Sequence, residues 1–429
     1  MSPTDASRPR LPTLAPSAPF TPFTLGSLTL RNRIVKSATY EGMVHEGLPT
    51  PALVRHHREL AAGGTALTTV AYCAVSPDGR TFSEQLMMSD RAIPAYAAVT
   101  DAVHAEGGAA ALQLGHAGGF SKSRELRLRR APLGPSFAAN PYGLLSGIPF
   151  VYALREPDLR AIEADFVAAA VRARSAGFDA VELHLGHGYL LSQLLSPVTN
   201  RRTDAYGGSL DNRLRFPLRV LAAVRAALGP GFPVLCKMNL DDGVPGGLHV
   251  EEAVEIARAL ERGGASALVL SGGMVSRSAF FLLRGERPLR AMISVEPKAA
   301  QKLALALFGP LFVKAYPFEP LFFLPLARRV RAAVRLPLAL LGGVTSRADL
   351  ERALALGFEL VALGRALLHD PGLPGKYARG EAERSGCEPC NLCIAEMDRP
   401  GGVCCAQVPA QLARREREVA AGWHRQAAG

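Results

Sequence analysis

Eight short apolar runs recur along this chain, and stretches with helical spacing separate most of them. The runs are RIVKSA (33–38), TALTTVAY (65–72), AAALQL (109–114), DAVELH (179–184), FPVLCKMN (232–239), ALVLSG (267–272), LPLALLGG (336–343) and ELVALGR (359–365). Between them lie patterns such as LRAIEADFVAAAVRARSAG (159–177) and HVEEAVEIARALERGGA (249–265), the second closing on a glycine pair suited to a helix C-cap. Strands that read as continuous apolar runs and alternate with helices imply a parallel sheet covered on both faces. Eight such units in succession predict a closed (β/α)₈ TIM barrel. A doubly wound open sheet is the alternative. It usually carries a Gly-rich dinucleotide loop after its first strand, and no G-x-G-x-x-G occurs here.

Other segments lie outside the repeat. Residues 1–19 are Pro/Ser-rich without an apolar signal region and read as a loose arm. FTPFTLGSLTLRN predicts a small N-terminal hairpin about Gly26. The barrel is expected over 20–385, with 274–335 holding a helix and an excursion over its mouth. A Cys-rich piece and a charged helical tail fill 386–429. No run of 18 apolar residues is present, so no transmembrane segment is expected. The net charge is 49 − 38 = +11, but no nucleic-acid recognition motif accompanies it. Five of the seven cysteines crowd between Cys387 and Cys405, unlike a scattered disulfide framework, which suggests a reducing cytoplasm.

Ligands of such barrels bind at the C-terminal strand ends, with phosphate after strands seven and eight. Run seven ends in Gly342-Gly343, where backbone N–H groups can approach an anion closely. Run eight ends in Gly364-Arg365, and a guanidinium can grip phosphate with two parallel bonds. Run three ends in Gln113, whose amide both donates and accepts, as the edge of a flat heterocycle requires. Lys237 interrupts run five and must meet an anion: a bound group, or Asp241 or Asp242. After run four stand His184, His187 and Tyr189, separated by Gly186 and Gly188.

LRNRIVKSA, VSPDGR, LQLGHAGG, HLGHGYLLSQLLSPVTNRRTDAYGGSLDNR, LLGGVTS and ALGRALLHDP stand in the order and spacing of the old yellow enzyme family. The chain resembles these FMN-dependent NAD(P)H:flavin oxidoreductases, or ene-reductases, over roughly residues 20–370. The resemblance implies FMN as cofactor, NADH or NADPH as reductant and a small unsaturated carbonyl compound as substrate. It implies that Ala38, Thr39 and Tyr72 line the flavin and that Gln113 pairs with its pyrimidine edge. Lys237 falls near flavin N1 and O2, where the family more often has arginine; Gly342, Gly343, Gly364 and Arg365 match the phosphate pocket. His184 and His187 match the pair that grips the substrate oxygen, and Tyr189 the proton donor. Either a monomer or a homo-oligomer is compatible with it.

The chain departs from the family pattern at Ala38, usually proline, and at Gly119, often arginine. The loop 120–152 is long and basic at Lys122, Arg124, Arg127, Arg129 and Arg130, which suggests a mouth biased toward anionic ligands. Cys387, Cys390, Cys393 and Cys405 are spaced C-x₂-C-x₂-C-x₁₁-C and read as packed free thiols, a zinc site or an iron–sulfur site. Larger relatives similar to 2,4-dienoyl-CoA reductase carry a cluster here, with one more residue in the second gap. Two further functions compete: a flavin-binding scaffold docked by the Phe-rich 308–323 segment, and a zinc hydrolase built on His184 and His187. The glycines beside both histidines, and the absence of H-E-x-x-H, weigh against the hydrolase.

Overall fold

The computed structural model describes residues 18–144 and 146–429, so most of the N-terminal arm lies outside the described residues. All eight runs form parallel strands, which close into one barrel in sequence order. They are β1 (Ile34–Tyr40), β2 (Leu67–Ala74), β3 (Ala109–Gly115), β4 (Ala180–Leu185), β5 (Val234–Asn239), β6 (Ala267–Ser271), β7 (Leu338–Leu341) and β8 (Leu360–Leu363). The two helical patterns become helices Glu156–Ser175 and Val250–Arg262, the latter closed by Gly263.

Side chains alternate across each strand, so every second residue points into the barrel. The lower interior holds Val35, Leu67, Ala109, Ala111, Ala180, Leu235, Ala267, Val269, Ala339, Leu360 and Ala362. Small alanines on several strands let Leu and Val from the others fill the axis, so this is packed core rather than channel. The N-terminal hairpin, Phe23–Leu25 paired with Leu28–Leu30, adds Leu25 and Leu30 to the same cluster and plugs the lower end. Its tip turns at Gly26, φ +60°, and Ser27 donates from backbone and hydroxyl to the Gly231 carbonyl before β5.

Two irregularities shape the upper end. The β1–β2 register shifts between Lys36 and Thr39, and the β2–β3 register between Val70 and Cys73. Such bulges bend a strand and re-aim its side chains. Here they fall on the segments carrying Ala38, Thr39 and Tyr72.

The 274–335 segment is an excursion of three helices, Val275–Leu282, Leu289–Val295 and Ala299–Phe312, followed by the barrel helix Leu324–Arg331. Within the Phe-rich stretch, Phe322 and Phe323 are buried against the barrel, whereas Phe308 is exposed. Only the end of the 308–323 stretch, Leu321–Phe323, is thus packed at the mouth, and much of the rest stays exposed. The charged tail forms the helix Pro409–Ala420, whose Glu418 pairs with Arg55 on the first barrel helix. No helix among the described residues is long and apolar enough to cross a membrane.

Because Leu30 is almost wholly buried in the plug, Leu30→Ala is expected to destabilise the protein by about 2–5 kcal/mol. A urea melt checks this, and an unchanged midpoint would mean that the barrel closes without its hairpin.

Candidate active site

At the upper end the interior changes from apolar to polar. Gln113 on β3 lies directly opposite Glu182 on β4, and His184 on β4 opposite Lys237 on β5. The Gln113 amide donates to Glu182 Oε1 at 2.6 Å. Lys237, 0 % exposed, donates to Ser37 Oγ at 3.1 Å and Ala38 O at 3.3 Å, with Glu182 Oε1 at 3.5 Å. The lysine's protein anion is therefore Glu182, not Asp241 or Asp242. Those two are held elsewhere, Asp241 on His249 and Asp242 on Asn239 and the Leu248 N–H. Burial lowers the Lys237 pKa, and Glu182 opposes that shift.

The next layer holds the paired histidines. β4 ends at Leu185, and the chain turns through Gly186, His187 (φ +62°) and Gly188 (φ +78°). A positive φ is unfavourable for histidine, so the surroundings must hold it. The His187 N–H donates to Asn239 Oδ1 at 3.0 Å, and its carbonyl accepts from Val275 N at 3.0 Å. This turn sets the two imidazoles edge to face, centroids 4.9 Å apart, and places the Tyr189 ring 4.7 Å from His184. Tyr72, whose hydroxyl bonds Thr81 and the Gly79 carbonyl, packs its ring 4.7 Å from Tyr189. Gln193 ties the rim together, donating to Ala117 O and Gly188 O while accepting from Gly119 N.

Both imidazoles are neutral. Burial, then His187 and Lys237, pulls His184 well below the ordinary histidine range; burial, then Lys237, pulls His187 to about 3. His184 Nδ1 accepts from the Gly186 N–H at 3.3 Å, which leaves its ring proton on Nε2. His187 Nε2 meets Ser271 Oγ at 2.7 Å. Neither histidine joins a metal-holding group of three His, Cys, Asp or Glu side chains among the described residues. The zinc-hydrolase alternative thus lacks its third ligand.

At the phosphate end the structure departs from expectation. Gly342 (φ +104°) and Gly343 (φ +76°) are approached by the chain itself. A Cβ on Gly343 would stand 2.6 Å from Glu319 O, and one on Gly342 would stand 2.7 Å from the Phe323 ring. Gly364 is open, since a Cβ there would meet nothing within 4 Å. Arg365 turns toward the C-terminal segment, donating to Asn391 Oδ1 and, at 3.0 Å, to Arg284 O. Asn391 in turn donates to Leu283 O at 2.6 Å and Glu286 O at 2.9 Å. A largely buried guanidinium takes whatever acceptors surround it, and here they are an amide and a carbonyl.

Cys387, Cys390, Cys393 and Cys405 line one small cavity beside Arg365. Burial pushes the Cys387 thiol up to about 11 and Cys393 to about 12. No three of them converge as a single-ion site requires. The basic loop is partly committed. Arg127 pairs with Asp165 and Asp78, Arg129 with Asp158, and Arg124 donates to Ser146 O. Carboxylates thus match two of its five basic residues, Arg127 and Arg129, while the carbonyl contact of Arg124 leaves its charge in place.

Residues 19–274 match the profile of the NADH:flavin oxidoreductase / NADH oxidase family. The chain belongs to that family. It is 45% identical over 378 residues to the 4,4'-dithiodibutanoate disulfide reductase of Rhodococcus erythropolis, covering 87% of this chain and 92% of that one. A metal reductase of Desulforamulus reducens is 32% identical over 391 residues, covering 90% of this chain but 52% of its own. The chain thus spans nearly all of the first relative and about half of the second. Morphinone reductase in complex with tetrahydroNAD superposes with a TM-score of 0.67 at 25% identity, covering 86% of this chain and 93% of that one. Flavin-dependent oxidoreduction follows, with FMN as cofactor and NADH or NADPH as reductant.

The polar layer fits a flavin. Lys237 offers a buried cation and Gln113 an amide on one edge, above a floor sealed by packed side chains. Glu182, Ser37, Asn239 and Ser271 were missed by sequence reasoning. Glu182 carried the same signal as Lys237, a charge inside an apolar run; Asn239 and Ser271 are simply last residues of strands.

Two outcomes are expected. A histidine that stays neutral when folded but titrates near 6.5 when unfolded makes the unfolded state bind more protons between pH 6.5 and about 3. Stability is therefore full above pH 6.5 and falls as the pH drops through that window. Urea midpoints between pH 7.5 and 4.5 should show the fall, and His187→Gln should lessen it by one histidine's share, because burial also holds His56, His57, His116 and His184 neutral. Arg365→Ala should speed amide hydrogen exchange within 386–405 several-fold, because the link to Asn391 is lost; an unchanged rate would show that the link holds nothing.

Proposed function

We propose that this protein passes hydride from reduced FMN to an activated C=C bond of a small unsaturated carbonyl compound. The observation that carries the reading is the convergence of two neutral imidazoles and a phenol on one face of the mouth. Hydride addition to an enone drives negative charge onto its oxygen. His184 can donate to that oxygen from Nε2. With the Ser271 hydroxyl donating to His187 Nε2, the His187 proton lies on Nδ1 and gives a second donor. Donors fixed where charge develops stabilise the transition state without reorganising. Tyr189 protonates the carbon that does not receive hydride, as a phenol is in its acid form at neutral pH.

We assign the flavin to the layer around Gln113 and Lys237, with Ala38, Thr39 and Tyr72 against it. When bound, FMN supplies the hydride taken from the nicotinamide. The phosphate is assigned to the rim of Gly342, Gly343 and Gly364, with Arg365 behind it. Lysine is a point charge rather than a planar fork, so the charge beside the ring is less directional than arginine's. No step requires a metal at the four cysteines. A second reading, reduction of an organic disulfide, is favoured by the 45% identity to a disulfide reductase along nearly its whole length.

Tyr189→Phe separates the readings. It should leave flavin reduction by nicotinamide nearly intact and slow reoxidation by an enone by about 10²–10⁴-fold. Reduction of a disulfide protonates no carbon, so reoxidation by 4,4'-dithiodibutanoate should be far less affected. Stopped-flow flavin absorbance measures all three. Equal slowing of flavin reduction and of enone reoxidation would remove Tyr189 from the acid role.

A further inference from the structure

The loop 120–152, once its arginines are accounted for, leaves a feature that the flavin site does not use. Short strands at 133–134, 138–139 and 150–153 form a small sheet beside the barrel mouth. Its outer side presents three aromatic rings to solvent, with Phe137 60 % exposed, Phe150 47 % and Tyr152 46 %. Phe137 stacks on Phe150 at 5.7 Å and meets Tyr152 edge-on at 5.8 Å. Aromatic surface held in water is unfavourable, and a rigid cluster of it marks a recognition surface.

Phe137 and Tyr152 form one side of an open cleft of about 530 Å³, within the ~300–1,000 Å³ range of small-molecule sites. Four arginines border the cleft. Arg129 is paired with Asp158, and Arg202 with Asp204. Arg202 also donates to Pro135 O at 2.9 Å and Leu154 O at 2.7 Å, which fixes the cleft's two edges. Arg155 and Arg201 form no ion pair among the described residues, and both are exposed. The cleft's one lining carboxylate, Asp204, is spent on Arg202. Two uncommitted guanidiniums thus line the same cleft as the Phe137 and Tyr152 rings, whose planes meet at 68°.

The cleft is not isolated. Pro135, Ser136 and Arg201 also line a second cavity of about 150 Å³, which reaches Gly188 and Met274. Gly188 adjoins Tyr189, and Met274 bridges to His187. A ligand with one end at the two histidines can therefore lay its other end between Phe137 and the two arginines. That far end must be aromatic and anionic.

We propose that this cleft binds a phosphorylated adenosine, the distal end of a long ligand whose reactive end lies at the barrel mouth. The base stacks on one of the two exposed rings, Phe137 or Tyr152, a contact available to any purine face. Arg155 and Arg201 take the phosphates through charge-assisted bonds. Two sources share this chemistry: a nicotinamide dinucleotide bearing a 2′-phosphate, and a coenzyme A thioester bearing a 3′-phosphate. The proposal rests on the assigned redox site only for which end of the ligand reaches Tyr189.

Calorimetric titration with 2′,5′-ADP, 3′,5′-ADP and adenosine tests it on the holoprotein without turnover, so it can fail separately from the redox assignment. At least one bisphosphate should bind, and more tightly than adenosine. Arg155→Ala and Arg201→Ala should each weaken that binding about tenfold or more, and Phe137→Ser should weaken it too, with thermal melts unchanged because all three residues are exposed. Tighter binding of 2′,5′-ADP assigns the cleft to the reductant, and Arg201→Ala should then raise KM for NADPH but not for NADH. Tighter binding of 3′,5′-ADP assigns it to a thioester substrate. Binding of neither bisphosphate, affinities untouched by the three substitutions, or adenosine binding as well as its bisphosphates would overturn the proposal.

Discussion

Closure of eight parallel strands imposes the constraint on which everything else depends. In a closed barrel each strand has one inner face, and side chains alternate between that face and the helical layer. Once Ala180 points inward, Glu182 and His184 must do so as well; once Leu235 does, so must Lys237. Those inner side chains then stack in layers. The lower layers are apolar and sealed by the hairpin, and the upper layer is charged. A one-residue slip in β4 would turn Glu182 and His184 into the helical layer and leave Lys237 buried without its carboxylate.

The buried lysine makes that upper layer specific. Its charge costs several kcal/mol to desolvate unless an anion and hydrogen-bond acceptors meet it. Glu182 on β4, and Ser37 Oγ and the Ala38 carbonyl on β1, supply them from two other strands. Glu182 also orients Gln113, so one carboxylate fixes two of the groups assigned to the flavin edge. The same positive charge contributes to keeping His184 and His187 neutral. A neutral imidazole still has one N–H to donate, so it can stabilise negative charge developing on an oxygen without being a cation. The Gln113 orientation and the neutral state of both histidines therefore trace to the one Lys237–Glu182 pair.

The upper rim is assembled from distant segments. The excursion between β6 and β7 returns through residues 319–323 to cover the Gly342–Gly343 turn, while Asn391 from the C-terminal segment joins Arg365 to the excursion. The long loop after β3 pairs Arg127 and Arg129 with the barrel's own carboxylates and keeps its aromatic face outward. Within the aromatic-lined cleft, Arg155 and Arg201 carry no ion pair while Arg129 and Arg202 are matched by Asp158 and Asp204, so those two matter more there than the loop's overall basicity.

By itself the sequence determined the barrel, its hairpin and the identity of the His184, His187 and Tyr189 turn. Periodicity is local, and each apolar run reports its own burial without reference to its neighbours. Which charge meets which was not local. Lys237 met Glu182, 55 residues away and on the adjacent strand, rather than the aspartates close by in sequence. Arg365 found Asn391 instead of an open cradle, and the basic loop found Asp78, Asp158 and Asp165. Only tertiary structure decided these pairings, because the Coulomb energy between two groups depends on their separation in space and on the surrounding dielectric, and neither can be read from the order of residues along the chain.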